Sequence, residues 1–201
     1  MGIARISKKQ NKINEIMIYS PTKIYPSAGH HNADAGAVAN GYKEADLTKE
    51  ARNIIAKYSK AEDLIMDKDY ETNRQYQSRI KPGDGSVLLD IHFNAGSPTA
   101  GGTECFVNDR DFQNKSSLSY KMASEICQLT AKVLGVNNRG VKSEKVSQHK
   151  RLGILNLGAG VSVLWEICFI TSALDMQSYQ MKKEELLKGV AEILKKYDDM
   201  K

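Results

Sequence analysis

The chain has 201 residues, 41% hydrophobic, 26% charged and 7% aromatic, with a formal net charge of +5. That length suits a single domain, and the composition excludes a largely disordered, collagen-like or repeat chain. No apolar run approaches the roughly 20 residues needed to span a bilayer. Near the amino terminus the longest apolar stretch is IMIY, too short for the core of a secretory signal. The expectation is therefore synthesis as a soluble cytoplasmic protein.

Positive charge collects at the start. Residues 1–23 carry Arg5, Lys8, Lys9, Lys12 and Lys23 against Glu15 alone, a local charge of +4. This marks residues 1–22 as a basic extension ahead of a domain spanning 23–201. Such a head can steer a protein toward an anionic cell envelope; a solvated terminus is the plainer alternative. Aromatic residues are not interleaved with the basic ones, which speaks against nucleic acid as a partner. Cys105, Cys127 and Cys168 show no paired spacing and are expected to be reduced. Nothing in the sequence calls for an oligomer, so a monomer is the simplest expectation.

KIY (23–25) reads as a short strand that breaks at Pro26 and enters SAGHHNADAGA. Leu47, Ala51, Ile54, Ile55 and Tyr58 recur at helical spacing and predict a helix over 44–58. DLIM (63–66) suggests a second short strand. KPGDG (81–85) is turn chemistry, followed by the apolar strand SVLLDIHF (86–93), a loop, and the strand TECFV (103–107). Ser116 or Ser117 can cap a helix with Leu118, Met122, Ile126, Leu129 and Val133 on one face and Gly135 as its stop. Residues 136–160 look loop-rich. VSVLWEICF (161–169) reads as a central strand buried on both faces, and a last helix is expected from about Lys182 to Tyr197. Strands alternating with helices imply an α/β fold: one three-layer domain, a mainly parallel twisted sheet with helices on both faces.

Four polar residues interrupt this apolar pattern. Glu44 falls on the apolar side of its helix and requires a cationic or hydrogen-bonding partner there. His30 follows the first strand, His92 sits near the end of the second long strand, and Glu166 lies within the last. Ligands of open α/β sheets gather beyond the carboxyl ends of the strands, so parallel strands would bring these groups to one edge. Two histidines and two acids suggest a catalytic zinc centre with three protein ligands and an open position. On spacing alone, an ion pair for the glutamate and ordinary roles for the histidines remain open, because HExxH is absent.

The segments GHHNADAGA (29–37), GYKEADL (41–47), LLDIHFNAG (88–96), GGTECFV (101–107), NRGVK (138–142) and VLWEICFITSALD (163–175) occur in one order. Together they resemble the zinc-dependent N-acetylmuramoyl-L-alanine amidases of type 3, found among bacterial autolysins and phage endolysins. The resemblance runs from about Ile24 to the last helix. It implies that His30, Glu44 and His92 bind zinc and that Glu166 is the catalytic acid/base. It further implies a peptidoglycan substrate, cleavage between N-acetylmuramic acid and L-alanine, and action on the cell wall after release from the cytoplasm, as in a phage-type endolysin. A stem-peptide peptidase or a peptidoglycan-binding module with a decayed site are the alternatives. Asp34 is expected to brace the His30 loop. His31, Asn94 and Arg139 are candidates for supporting or substrate-facing roles, and His149 has no assigned role. The chain departs from the usual family pattern at Ser27–Ala28–Gly29, at His31, at Asp90 and Phe93 around His92, and at Cys168 after Glu166.

Overall fold

A computed structural model describes residues 23–59 and 64–200. The basic segment 1–22 and Asp63 lie outside them. Five strands form the main sheet: β1 (Lys23–Ala28), β4 (Ser86–Asn94), β5 (Thr103–Val107), β6 (Asn138–Ser143) and β7 (Val161–Phe169). Their spatial order is β1-β4-β7-β5-β6. The first three run parallel, β5 is antiparallel to β7, and β6 is parallel to β5. A small hairpin, β2 (Val38–Ala39) with β3 (Tyr42–Lys43), leads into α1 (Glu44–Ser59). The remaining helices are α2 (Asn73–Arg79), α3 (Asp109–Gln113), α4 (Leu118–Leu134) and α5 (Ala173–Asp198), with 3-10 turns at Glu144–Val146 and Gly153–Asn156. No helix among the described residues is long and apolar enough to cross a membrane.

Side-chain alternation divides the sheet into two unequal faces. Val87, Leu89, Ile91 and Phe93 of β4, with Val161, Val163, Trp165 and Ile167 of β7, pack against the apolar stripes of α1, α4 and α5. Each fully buried aliphatic side chain contributes about 1.5–3 kcal/mol, so this face holds most of the stabilising burial. The opposite face is covered by shorter pieces. Leu88, Leu164, Phe106 and Tyr25 meet Tyr76 and Ile80 at α2 and Ile154 and Leu155 of the second 3-10 turn. That cover reaches only part of the way along the strands. Beyond it, toward the carboxyl ends of β1, β4 and β7, the same face carries polar residues.

Four local expectations change. The first strand does not stop at Pro26: it continues to Ala28 as an edge strand, where a missing N–H costs no ladder bond. The described part of DLIM, residues 64–66, makes one parallel bridge, Leu64 to Ile24, rather than a strand. Within 136–160, residues Asn138–Ser143 form β6, half exposed and therefore without an apolar alternation to announce it. The last helix begins at Ala173, not near Lys182, because Ser172 accepts from the Asp175 N–H as a cap and Met176 and Tyr179 extend the buried stripe by two turns. The α4 boundaries follow their caps: Ser117 accepts from the Tyr120 N–H, and Gly135 closes the helix at φ 72°.

Candidate metal centre and cleft

His30, Glu44 and His92 come together where the carboxyl ends of β1 and β4 meet the first turn of α1, and one ligand atom from each lies within 4.8 Å of the others. Glu44 is buried and fully bonded. Its Oε2 accepts from the Ala37 N–H at 2.9 Å, its Oε1 accepts from the Phe93 N–H at 3.0 Å, and His30 Nε2 and His92 Nδ1 each lie 3.2 Å from it. The partner demanded by a carboxylate on an apolar helix face is thus a pair of imidazoles. Burial acts to raise the Glu44 pKa, but hydrogen bonds from His30 and His92 outweigh it and hold the carboxyl well below its usual range. Both histidines move up. Burial opposes the charged imidazole in each case, and the carboxylates of Glu44 and, for His92, Asp90 overcome it.

Each imidazole uses its second nitrogen on another carboxylate. His30 Nδ1 is 2.9 Å from Asp34 Oδ2, and His92 Nε2 is 3.2 Å from Asp90 Oδ2. The Ser27 hydroxyl donates to Asp90 Oδ1 at 2.6 Å. Carboxylate–histidine pairs of this kind fix the tautomer and ring orientation of metal-binding histidines. Two glycines leave the room these groups need. A Cβ at Gly29 would sit 2.2 Å from the His92 ring, and one at Gly36, whose φ is +62°, would come within 2.6 Å of Glu44 Oε2. Two imidazole nitrogens and a carboxylate oxygen converging from braced side chains match the donor set of a zinc site with an open position. The residues fit a divalent metal ion.

Glu166 stands beside this group, paired in register with His92 on the neighbouring strand. Its Oε2 is shielded from solvent and has no hydrogen-bond partner among the described residues. Burial, reinforced by the nearby Glu44 and Glu104 carboxylates, lifts its pKa to about 7 despite the opposing His92 charge. On the other side Glu166 is in register with Glu104 of β5. Glu104 is buried too, but ion-paired: Oε2 accepts from Lys142 Nζ at 2.6 Å and from Arg139 Nε, and Oε1 accepts from Asn94 Nδ2 at 2.9 Å. These cations keep Glu104 ionised, its pKa lowered against burial.

His30, His92, Glu166, Glu104 and Arg139 line one cleft of about 500 Å³, whose lining also includes Leu152 and His149. The structure thus brings together His30, Glu44, His92 and Glu166, sets Asp34 on His30, and places Asn94 and Arg139 on Glu104. His31 is placed elsewhere. It bridges to Asp34 through the backbone, its Nδ1 accepts from the Ala33 N–H at 3.2 Å, and its ring belongs to that turn, not to the cleft lining. Glu104 and Asp90 escaped the sequence reading as site residues. The available signal was the strand alternation, which puts Glu104 on the face of Phe106 and Asp90 on the face of His92.

The N-acetylmuramoyl-L-alanine amidase family Amidase_3 matches residues 24–196. The uncharacterized protein YqiI of Bacillus subtilis is 26% identical over 181 residues, covering 82% of this chain and 80% of its own length. The endolysin of Bacillus phage SPP1 is 28% identical over 178 residues, covering 84% of this chain and 62% of the endolysin. Among solved structures, the N-acetylmuramoyl-L-alanine amidase from Clostridium difficile 630 superposes with a TM-score of 0.68 at 21% identity, over 90% of this chain and 97% of that one; this likeness concerns the fold. With the match running from β1 to the last turns of α5 and including every residue of the cleft described above, the chain belongs to the Amidase_3 family of N-acetylmuramoyl-L-alanine amidases.

Proposed function

We propose that the chain is a zinc-dependent peptidoglycan hydrolase that cuts the amide between the lactyl group of N-acetylmuramic acid and L-alanine, acting as the catalytic domain of a phage-type endolysin. The observation that carries this reading is the juxtaposition of the His30–Glu44–His92 donor set with a buried glutamate whose Oε2 has no hydrogen-bond partner among the described residues and whose pKa is raised to about 7.

In this reading His30, Glu44 and His92 hold the ion, braced by Asp34 and Asp90. A zinc ion bound there supplies Lewis-acid polarisation of the scissile carbonyl and lowers the pKa of an attacking water to about 7. Glu166 takes the proton from that water. It then passes the proton to the amide nitrogen as the carbon–nitrogen bond breaks, leaving the lactyl carboxylic acid and the free amine of L-alanine. A pKa near the working pH suits a group that must do both. Residues 23–201 form the catalytic domain in this proposal. The basic segment 1–22 brings the enzyme to the anionic wall after its release from the cytoplasm.

Digestion of purified peptidoglycan followed by mass spectrometry tests the reaction. Release of intact stem peptides with a free L-alanine amine is the expected outcome. Cleavage inside the stem would establish a peptidase instead, and binding without turnover a decayed site.

A further inference from the structure

We infer that the β6 wall of the cleft is an anion subsite in which Arg139 receives a carboxylate of the stem peptide, so that the chain distinguishes a free acid from an amide next to L-alanine. The inference rests on the peptidoglycan-amidase reading and names the substrate feature that this site reads.

Two bulges build the subsite. Between Thr103 and Cys105 of β5 one residue intervenes, whereas two intervene between their β6 partners, Asn138 and Val141. The extra residue is accommodated at Gly140, whose φ of +78° lies in the left-handed region that favours glycine. Strict alternation would send Arg139 and Lys142 to opposite faces. The bulge puts both on Glu104. On the other side, the β4–β7 register slips between His92 and Asn94, whose partners are Glu166 and Phe169. That slip leaves Ile167 and Cys168 in the main core and turns Phe169 toward the cleft.

Arg139 occupies the notch between these features. Its Nε donates to Glu104, and its guanidinium lies 5.0 Å from the centre of the Phe169 ring. The side chain is about one-third exposed, and its two terminal nitrogens make no hydrogen bond to the described residues. A guanidinium held by Nε and stacked on a ring has little rotamer freedom left to lose on binding, and it offers a fork that matches a carboxylate. The charges support an anion. Glu104 compensates one of the two cations it binds, leaving one positive charge on the wall facing Glu166 and the metal-binding group. In the proposed substrate the lactyl carboxyl is consumed in the scissile amide. The nearest remaining carboxylate on the peptide is the α-carboxylate of a D-glutamate following L-alanine, and amidation of that group to D-isoglutamine removes its charge.

The test uses the zinc-loaded full chain and its Arg139→Gln and Arg139→Lys variants, checked for unchanged melting temperature. Substrates are N-acetylmuramoyl-L-Ala-D-Glu and its D-isoglutamine counterpart, both with the γ-carboxyl capped as a methylamide so that they differ only at the α-carboxyl. The parent should prefer the free acid by about tenfold or more in kcat/KM, as expected for a charge-assisted pair, mainly through KM. Arg139→Gln should lose the preference, and Arg139→Lys should keep part of it without the fork. Calorimetric binding of the dipeptides L-Ala-D-Glu and L-Ala-D-isoglutamine, capped in the same way at the γ-carboxyl, should show the same order. Equal handling of the two by the parent in both assays would overturn the inference, as would an undiminished preference in Arg139→Gln. If neither muropeptide is cut, the amidase reading fails, and the binding arm still decides the subsite.

Discussion

Replacing Glu166 by glutamine should separate chemistry from stability. The side chain keeps its shape, but its amide can neither accept the water proton nor become charged. A carboxyl whose pKa rises from 4.5 to about 7 on folding carries a penalty of about 3 kcal/mol in its ionised form, at about 1.4 kcal/mol per unit. The folded protein binds this proton more tightly than the unfolded chain. Its stability therefore falls as pH climbs from about 4.5 through about 7 and stays depressed above that range. In metal-stripped protein, Glu166→Gln should match the parent near pH 4.5 and exceed it by up to about 3 kcal/mol at pH 8.5, read by urea denaturation at the two pH values. Turnover of the loaded variant should drop by about 10²–10⁴, the usual contribution of general acid–base catalysis. Near-normal turnover would refute the proton-transfer role. A variant less stable than the parent at pH 8.5 would show that Glu166 is paired and ionised in the native state, contrary to the unpartnered Oε2.

Gly29→Ala should cut zinc affinity at least tenfold in a chelator competition, because the new methyl meets the His92 ring at 2.2 Å and the Gly29 N–H is held by Ile91 O at 2.8 Å; full affinity would mean that the ring can move. Asp90→Asn should weaken zinc about 10–100-fold and shift the His92 tautomer signal in nitrogen NMR, whereas a purely packing role would leave that signal in place. For the stripped protein, the raised pKa values of His30 and His92 give stability that is full below about 6.5 and is lost as pH rises through their folded values. The lowered Glu44 pKa gives stability present above 4.5 and lost as pH falls through its folded value. Zinc binding must displace the histidine protons, so its affinity should rise with pH across the neutral range and proton release should be measurable by calorimetry in two buffers.

The grouping of the candidate centre was legible in part because polar residues at apolar-pattern positions are costly, and three such positions marked long strands and the buried face of α1; their reading as metal ligands and acid/base came from the family resemblance. Glu44, His92 and Glu166 each broke a periodicity that was otherwise clear. His30 stood out by its place after a strand. The supporting residues were harder to read. Asp90 and Glu104, like Glu166, are single carboxylates in apolar strands, but no family role marks them, so their meaning waits on the neighbouring strand. Arg139 is a candidate from the sequence, but its contact with Glu104 depends on a bulge, and a register shift depends on two strands at once. The same limit explains the missed β6: an edge strand with one exposed side lacks the alternation that made β4 and β7 plain. The early part of α5 was missed for a different reason, since its buried positions Met176 and Tyr179 are separated by polar residues from the dense stripe at Leu186–Leu194.

The outer side of β1 bears on how crowded molecules meet. Along that margin residues 24, 26 and 28 face away from β4, and one backbone group of each is either taken or missing. The Ile24 carbonyl accepts from the Ile65 N–H at 3.0 Å, Pro26 has no N–H, and the Ala28 N–H donates to Asp67 Oδ1 at 3.0 Å. At the far margin, β6 is bulged at Gly140 and carries Arg139 and Lys142. Open sheets aggregate by adding a neighbour's strand to an unpaired edge, and proline, bulges and charges are the devices that prevent it. Neither margin of this sheet offers a straight ladder. A protein accumulating to high local concentration on a surface would meet its neighbours there without templating fibres.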